Sequence, residues 1–563
     1  MRKRLPWAAL LLAVPLFLSH SRPAQAQVVV VTARSVDTLV GDLEYLVSAA
    51  APDEEMKQGA QQGLDLLKDP TLLPGIDRTK PFGAWVTMPA EPGAADPPTV
   101  VVAVPVTDLK ALLDTLQNFG VEVDNQPGVA GFSYRVGIPG SGLSLYAVEA
   151  KGYAYLTMVP QGAEKLAALT PANWMPIREG VGDLSASVRM DQVPQPFKDM
   201  LLEQVEQRMV LERNKMPGED EAAFQGRLAG MKFSQEVFER FVRESRDLNL
   251  DLIVDKAKEE LSLDLGFAAL KDTSMAKSLA GFSSRTSSFQ AFADPNSAMA
   301  GWASLPISPE LQKTLGKSIG EGFTKALAAE KNPADKALLE RAQAIVKELV
   351  DSGSFDTGMS IREVATPTSG GTSVLVAGAR VPDAKKLEDL VRDAIKAHPP
   401  GATEAEVTLD AGKAPDGTSL HRIKPVLKPE DAAGMQGLGE PIIYLAFRKD
   451  QVLLAVGASA EAAIVKALGE TAGTVPATAV GNPLALRLAV DKLAMLADTP
   501  ADVKASLANF FTGKKAGKNQ VDLSVGRGPA DSLRVRLRLD LPALAFLAKL
   551  GAIQQQGALQ PVR

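Results

Sequence analysis

The residue types that carry most protein chemistry are scarce in this chain of 563 residues. It contains no cysteine, and beyond residue 26 its histidines are His398 and His421. A Ser-His-Asp triad or a histidine metal site would have to use these two, and neither lies in His-x-x-x-His or Glu-x-x-His spacing. We therefore predict two surface histidines, and no catalytic, cofactor-binding or metal-binding residues.

Two short motifs match patterns of serine enzymes. Gly316-Lys-Ser-Ile-Gly320 matches Gly-x-Ser-x-Gly, but it lies within a helical pattern that starts near Leu311, whereas a nucleophile elbow needs a strand-to-helix turn. Ser274-Met-Ala-Lys277 matches Ser-x-x-Lys, but the companion motifs Ser-Asp-Asn and Lys-Thr-Gly are absent. We interpret both as chance matches.

Glycine-rich segments occur at 137–142 and 434–439. Phosphate-binding glycine loops lead into the N-terminus of a helix, which presents free N–H groups to the anion. Here a strand pattern follows each segment, so the glycines are expected to supply positive φ in a connection instead.

Acidic residues give two weaker candidates. In Asp247-Leu-Asn-Leu-Asp251 the polar residues alternate with leucine, which predicts a strand with a solvent-facing polar side rather than a calcium loop. Asp191 and Asp491 end two matching strand patterns, and a shared acidic site is an alternative to two ordinary turn residues.

The chain repeats a pattern at a constant offset. Tyr146 falls on Tyr444 and Lys151 on Lys449, both 298 residues apart (444 − 146 and 449 − 151). Strand and helix patterns follow in the same order in both copies. In each copy a strand pattern is followed by a helix pattern, and the predicted helix caps are Asp108 and Asp383.

This repeat predicts an α+β protein of two tandem domains related by duplication. Each domain is expected to have a mainly antiparallel sheet with helices on one side. The predicted domains are 27–283 and 284–551, followed by a disordered tail at 552–563.

One copy carries an insert. Asp191 to Asp247 is 56 residues, whereas Asp491 to Gln520, the corresponding stretch, is 29. The extra length, at about 195–246, is charged and has apolar residues at helical spacing, which predicts a helical hairpin. It is either a solvated pair of helices packed on its own domain or an arm that docks an envelope protein partner.

The N-terminus has the three parts of a secretory signal peptide. Basic residues at 2–4 precede an apolar run of about 14 residues, shorter than the roughly 20 that span a membrane. An Ala-x-Ala site at Ala24 and Ala26 predicts cleavage of residues 1–26 and export to the periplasm or the cell exterior. Loss of the leader's four cations takes the net charge from −6 to −10, which argues against nucleic acid as a partner.

The strand before Ser35-Val-Asp-x-Leu39, the repeated α+β units and the break at Pro217-Gly218 resemble an uncharacterised exported bacterial family of duplicated α+β units. The resemblance implies a bacterial envelope protein and carries over no functional residues. The leading hypothesis is a non-enzymatic binding or scaffold protein. A carrier of a lipid or hydrophobic ligand in an inter-domain cleft and a carboxylate-dependent hydrolase remain alternatives.

Overall fold

The computed structural model describes residues 26–51, 54–93, 98–125, 128–129, 131–138, 140, 142–174, 182–211, 213–283, 285, 287–294, 297–307, 309–364, 372–399, 401, 405–426, 440–472, 482–496, 510, 519–528 and 532–558. The chain divides into two compact units. Unit 1 is Met1–Lys277 with Gly528–Ser532, and unit 2 is Ser278–Arg527 with Leu533–Arg563. The predicted leader and Ala24 lie outside the described residues, and Ala26 begins the first strand.

Unit 1 alternates strands with short helices. Its strands are β1 (Ala26–Ala33), β2 (Phe82–Met88), β3 (Thr99–Pro105), β4 (Glu122–Asp124), β5 (Tyr134–Gly137), β6 (Ser144–Ala150), β7 (Tyr153–Thr157), β8 (Leu184–Arg189), β9 (Ser245–Asp255) and β10 (Glu260–Ala269). Its helices are α1 (Val36–Ala50), α2 (Glu54–Lys68), α3 (Leu109–Asn118), α4 (Ala163–Ala168), α5 (Pro171–Trp174), α6 (Gln195–Leu211) and α7 (Glu221–Glu244), and α8 (Ser274–Ser283) contains the passage to unit 2.

Every strand pair of unit 1 in the described chain is antiparallel. The order across the sheet is β4-β5-β6-β7-β3-β2-β1-β8-β9-β10. Local chemistry sets where helices begin: Ser35 Oγ accepts the Thr38 N–H (3.0 Å) before α1, and Asp108 Oδ1 accepts the Ala111 N–H (2.9 Å) before α3. The predicted cap at Asp108 is confirmed.

Unit 2 has the same number of described strands as unit 1. Its strands are β11 (Ser297–Pro306), β12 (Ser354–Val364), β13 (Thr372–Arg380), β14 (Ala405–Lys413), β15 (Ser419–Pro425), β16 (Ile443–Arg448), β17 (Gln451–Val456), β18 (Leu484–Ala489), β19 (Gln520–Arg527) and β20 (Leu533–Asp540). Its helices are α9 (Pro309–Ala329), α10 (Pro333–Asp351), α11 (Ala384–Ala397), α12 (Ala460–Glu470), α13 (Val490–Leu496) and α14 (Leu541–Ala558). Asp383 caps α11 by accepting the Lys385 and Lys386 N–H groups, as predicted.

The strand order of unit 2 repeats that of unit 1 position by position. It is β14-β15-β16-β17-β13-β12-β11-β18-β19-β20, again antiparallel throughout the described pairs. The matching lysines occupy the same turn in each unit, between β6 and β7 and between β16 and β17. Lys151 has a φ of 53° and Lys449 a φ of 36°, so both turns use a left-handed residue that is not glycine.

The prediction of helices on one side of each sheet is wrong for the central strands of unit 1. Tyr153 and Tyr155 of β7 belong to a core with Trp174 of α5, whereas Ala154 of the same strand packs with Leu109 of α3. Because neighbouring residues of a strand point to opposite faces, this part of the sheet is covered on both sides. That double cover accounts for the burial of Tyr153, Ala154 and Tyr155, three consecutive residues of β7.

The insert forms the predicted helical hairpin, α6 and α7. Its tip is held by Glu219, which accepts hydrogen bonds from Arg227 Nε and Nη2 (both 2.8 Å) and from the Met216 N–H (2.9 Å). The hydrogen bonds from Arg227 lower the pKa of Glu219 to about 2. Arg243 Nη1 bridges to Asp199 Oδ1 (3.3 Å) and links the two helices near their base.

At the end of the chain α14 runs to Ala558, so part of the tail predicted to be disordered is helical. Its buried residues Ala543 and Phe546 pack with Val490, which anchors the helix. Within the described residues, no helix combines the length and the apolar character that crossing a membrane would require.

Candidate functional site

The acidic residues singled out from sequence occupy corresponding positions directly after two strands. Asp191 is exposed in a short 3₁₀ turn directly after β8 in unit 1, and Asp491 is in the first turn of α13 directly after β18 in unit 2. The two positions correspond, and a shared acidic site remains a prediction. Ala26 is the first residue of β1.

The serine motifs lie in helices, as expected of chance matches. Gly316 to Gly320 is inside α9 rather than on a strand-to-helix turn. Ser274 begins α8, and its Oγ donates to both carboxylate oxygens of Glu244 (3.0 Å each). In the first glycine segment, Gly140 and Gly142 have φ of 75° and 68° and lead into β6, which agrees with the conformational interpretation. The second, 434–439, lies outside the described residues.

Unit 2 holds an ionic cluster that the sequence interpretation missed, in which His421 and Glu388 are buried and Asp410 is exposed. His421 of β15 is only 2% exposed, so the prediction of a surface histidine is wrong for it, whereas His398 is exposed and pairs with Asp335. Ligand atoms of His421, Glu388 of α11 and Asp410 of β14 lie within 4.8 Å of one another. The sequence around His421 is polar and alternating, and its burial comes from packing, with Glu388 of α11 and Phe447 of β16 beside the ring.

An arginine already holds the centre of this cluster. Arg392 donates from Nε to Glu388 Oε1 (2.9 Å) and, as a fork, from Nη1 and Nη2 to the two oxygens of Asp410 (2.7 and 2.6 Å). Such a bidentate guanidinium–carboxylate pair is among the stronger interactions of side chains. Asp410 has a φ of 53° at an irregularity in β14, and the fork fixes its side chain there.

Hydrogen bonding also fixes the tautomer of His421. The Asp410 N–H donates to His421 Nδ1 (3.2 Å), so this nitrogen carries no proton. In the neutral ring the proton is therefore on Nε2, which lies 3.3 Å from Glu388 Oε1 without the alignment of a full hydrogen bond. A metal ion would need the Nε2 lone pair that this proton occupies and the carboxylate oxygens that Arg392 occupies. The residues do not fit a metal site.

The charge states argue against acid catalysis at the cluster. Burial is the largest single influence on Glu388 and opposes its ionisation, but the hydrogen bond from Arg392 and the charges of Lys385 and Arg392 together outweigh it and lower the pKa of Glu388. Hydrogen bonds from Arg392 hold the pKa of Asp410 well below its usual range, and burial lowers the pKa of His421. A carboxylate hydrolase needs one acid with a raised pKa, so this cluster is best interpreted as a structural ion-pair network.

A second candidate is an apolar surface on unit 1. Four leucines on neighbouring strands are 36–43% exposed, and we call this surface the leucine face: Leu184 of β8, Leu250 of β9, and Leu263 and Leu265 of β10. Leu250 lies directly opposite Leu265, while Leu252 lies opposite both Leu184 and Leu263. The leucine face is therefore continuous across three strands.

The opposite side of these strands is polar and buried, which reverses the prediction made for Asp247 to Asp251. Asp251 is 3% exposed and accepts a hydrogen bond from Ser185 Oγ (2.5 Å), which is itself 1% exposed. Ser187 Oγ donates to Asn249 Oδ1 (2.8 Å) on the same side. Strand periodicity was predicted correctly, but the side assigned to solvent was wrong because hydrogen bonding between side chains satisfies the buried polar groups.

The hairpin adjoins the leucine face. Phe267 follows Leu265 on the same side of β10, and its ring stacks on Phe241 of α7 with ring centroids 5.6 Å apart. Farther along the hairpin, apolar side chains are also exposed, at 41–55%: Met200, Leu201, Val210, Met216 and Val237.

Comparisons of this chain with protein-family models, curated proteins and solved structures gave no match.

Proposed function

We propose that this chain is an exported, non-enzymatic binding or scaffold protein of the bacterial periplasm or cell surface, which holds a protein partner on the leucine face. The observation that carries the proposal is the exposure of Leu184, Leu250, Leu263 and Leu265 on three adjacent strands. Antiparallel sheets usually turn their apolar side inward and their polar side to water. A contiguous apolar side left in contact with water is typical of an interaction surface.

Burial of this surface contributes part of the free energy that specific binding requires. Fully burying a leucine contributes roughly 1.5–3 kcal/mol, so covering the remaining two-fifths of four leucines contributes about 2–5 kcal/mol. A few such residues at the centre of an interface account for much of the binding energy in many complexes.

The hairpin 195–246 supplies a second part of the surface. Val237 on α7 is 48% exposed and Leu201 on α6 is 41% exposed, and the base of α7 reaches the leucine face through the stacked pair Phe241 and Phe267. A partner that covered the leucine face and the hairpin would contact a sheet and a helix pair, which the stacked rings of Phe241 and Phe267 join. This favours the docking arm over a merely solvated pair of helices.

A protein partner is favoured over a lipid ligand. Carriers of hydrophobic ligands bury most of the ligand in a concave apolar cavity. The leucine face is a side of an open sheet, and a described cavity of unit 1 is lined by charged side chains such as Asp42 and Lys256. The hydrolase alternative has less support because both acids of the ionic cluster in unit 2 are held ionised.

We further infer that the two units arose by duplication. The support is that both have the same strand order and the same left-handed lysine turns, Lys151 and Lys449. Export is supported by the basic and apolar N-terminus with the Ala-x-Ala site. An exported binding protein without cysteine would depend on its packed cores for stability.

The test is site-specific photo-crosslinking in the native host. A photoreactive amino acid replaces Leu263 at the centre of the leucine face, and in a second strain it replaces Leu66, an exposed leucine of α2 at 57%. We expect one defined protein adduct from position 263 and none from position 66. A second probe at Val237 is expected to capture the same protein.

The matched variants are Leu250→Thr/Leu265→Thr, which removes a directly opposed pair of the leucine face, and Leu43→Gln/Leu66→Gln, which changes two exposed leucines elsewhere. The first is expected to abolish the adduct at position 263 and the second to retain it. A lipid adduct at position 263 would support the carrier instead. Equal labelling at 263 and 66, or an adduct that survives Leu250→Thr/Leu265→Thr, would refute the proposal.

A further inference from the structure

Unit 1 buries a lysine at the base of the hairpin α6–α7. Lys198 lies in the first turn of α6 and is 6% exposed, and every other lysine of the described residues is more exposed. Phe197 beside it and Met190, in the turn after β8, are buried as well. Lysine side chains are rarely buried to this extent unless an acid pairs with them. The surroundings of Lys198 therefore decide what its amine can do.

Lys198 has no acid paired with it. Within the described residues its Nζ makes neither a hydrogen bond nor an ion pair. Asp191, in the turn after β8, acts on it through charge from beyond ion-pair distance, and Asp191 Oδ2 accepts from Gln192 Nε2 (3.3 Å) instead. The other nearby charge belongs to Arg243 of α7, which pairs with Asp199. The ammonium group is thus largely withdrawn from water without an acid in its place.

These surroundings favour the neutral amine over the ammonium. Burial lowers the pKa of Lys198; the Asp191 carboxylate opposes this shift, and the charge of Arg243 adds to it. Lys198 Nζ is not among the shielded, unpartnered polar atoms of the described chain, so the end of the side chain still reaches solvent. A neutral amine has a lone pair with which to attack an electrophile, and an ammonium has none. Lys198 therefore combines an available lone pair with access that suits a small reagent.

We propose that Lys198 is a carbonyl-binding amine, which forms an imine with a small neutral aldehyde. The Nζ lone pair adds to the carbonyl carbon to give a carbinolamine, and its hydroxyl leaves as water while the C=N bond forms, so nothing is oxidised or reduced. The imine takes a proton from solvent and becomes a cation, which the charge of Asp191 stabilises. An anionic adduct such as a carbamate is disfavoured, because Asp191 affects Lys198 more than Arg243 does. This small-molecule function is additional to the protein binding proposed for the leucine face.

The experiment is reductive labelling of the folded mature chain with propanal and cyanoborohydride at pH 7, stopped at low conversion. Peptide mass spectrometry locates each propyl group. We expect Lys198 to be labelled at least about threefold faster than Lys232, a lysine of α7 whose side chain is 79% exposed. After unfolding in urea the two lysines are expected to label equally, because the difference comes from the fold. Labelling of Lys198 no faster than Lys232 in the folded chain would show that burial only hides the amine, and would overturn the proposal.

The ratio of labelling at Lys198 to labelling at Lys232 also tests the charges around the amine. We expect this ratio to fall between pH 7 and pH 9, because the exposed lysine becomes neutral only at the higher pH. Asp191→Asn removes the charge that favours the ammonium and is expected to raise the ratio at pH 7. Asp65→Asn, which changes an exposed acid of α2, is expected to leave it unchanged. A ratio that did not change with pH would overturn the proposal, and an unchanged ratio in Asp191→Asn would refute the role of that carboxylate.

Discussion

At the scale of single residues, the most consequential feature is a histidine kept neutral by its surroundings. His421 is buried between α11 and β14, and burial together with the nearby Arg392 charge lowers its pKa. Glu388 and Asp410 also face the ring and would favour its charged form, but Arg392 already neutralises much of their charge. The ring therefore contributes a fixed acceptor for the Asp410 N–H rather than a positive charge.

This predicts a loss of stability in mild acid. His421 binds a second ring proton less readily in the folded chain than in the unfolded chain, where its pKa is about 6.5. Above about pH 6.5, His421 is neutral in both states and does not lower the stability of the fold. As the pH drops below this value, the free energy of unfolding falls by at most about 1.4 kcal/mol per pH unit. Urea unfolding at pH 7.5 and pH 5.5 measures the effect.

His421→Asn is the matched variant, because its side-chain oxygen retains an acceptor for the Asp410 N–H but does not titrate. We expect a smaller difference in the free energy of unfolding between pH 7.5 and pH 5.5 than in the wild type. An unchanged difference would show that other groups account for the acid sensitivity.

At the scale of elements, unit 2 depends on one aromatic ring packed directly on backbone. Phe289 is fully buried and lies against Gly358 of β12 and Gly378 of β13, which are directly opposite each other. A Cβ at Gly378 would lie 2.3 Å from Phe289 Cε1 and 2.7 Å from Leu453 Cδ2. Ser287 Oγ donates to Asp356 Oδ1 (2.5 Å) and holds the segment in place.

Gly378→Ala is therefore expected to destabilise the chain by about 1–3 kcal/mol, because the ring has to move out of a close-packed position. The control is Gly316→Ala inside α9, where an added Cβ meets nothing within 4 Å. That substitution is expected to stabilise by about 0.5–1 kcal/mol, since alanine favours a helix more than glycine does. Chemical denaturation compares them; a neutral Gly378→Ala would contradict the packing argument.

At the scale of the whole molecule, one order of ten described strands occurs in each unit, and the hairpin α6–α7 lies between β8 and β9 of unit 1. The surface proposed to bind a partner, the leucine face, is described in unit 1. Export of the whole chain remains a prediction from its N-terminus, and processing tests it directly.

We expect the exported chain to begin at Gln27. Ala26→Lys places a large charged side chain at the Ala-x-Ala site and is expected to leave the precursor unprocessed, whereas Ala26→Ser keeps a small residue and is expected to be cleaved. Intact mass of the chain from an osmotic-shock fraction distinguishes the two forms. An uncleaved wild-type chain would contradict the signal peptide.

The sequence by itself determined the features that depend on neighbours along the chain. Strand and helix types, the caps Asp108 and Asp383, and the hairpin follow from periodicity and from side chains that reach their own backbone. The repeat also indicated that both halves would share one order of elements, because Tyr146 and Lys151 both have counterparts 298 residues later.

The tertiary structure alone decided which sides of those elements face inward. Alternation in β9 separates Asp251 from Leu250, but a period of two is the same whichever side is buried. His421 is likewise buried by α11, which is distant from it in sequence, and Asp42 meets Lys256 only where β1 and β9 flank β8. The candidate sites are made of such long-range contacts, so they depend on strand order and packing rather than on local sequence.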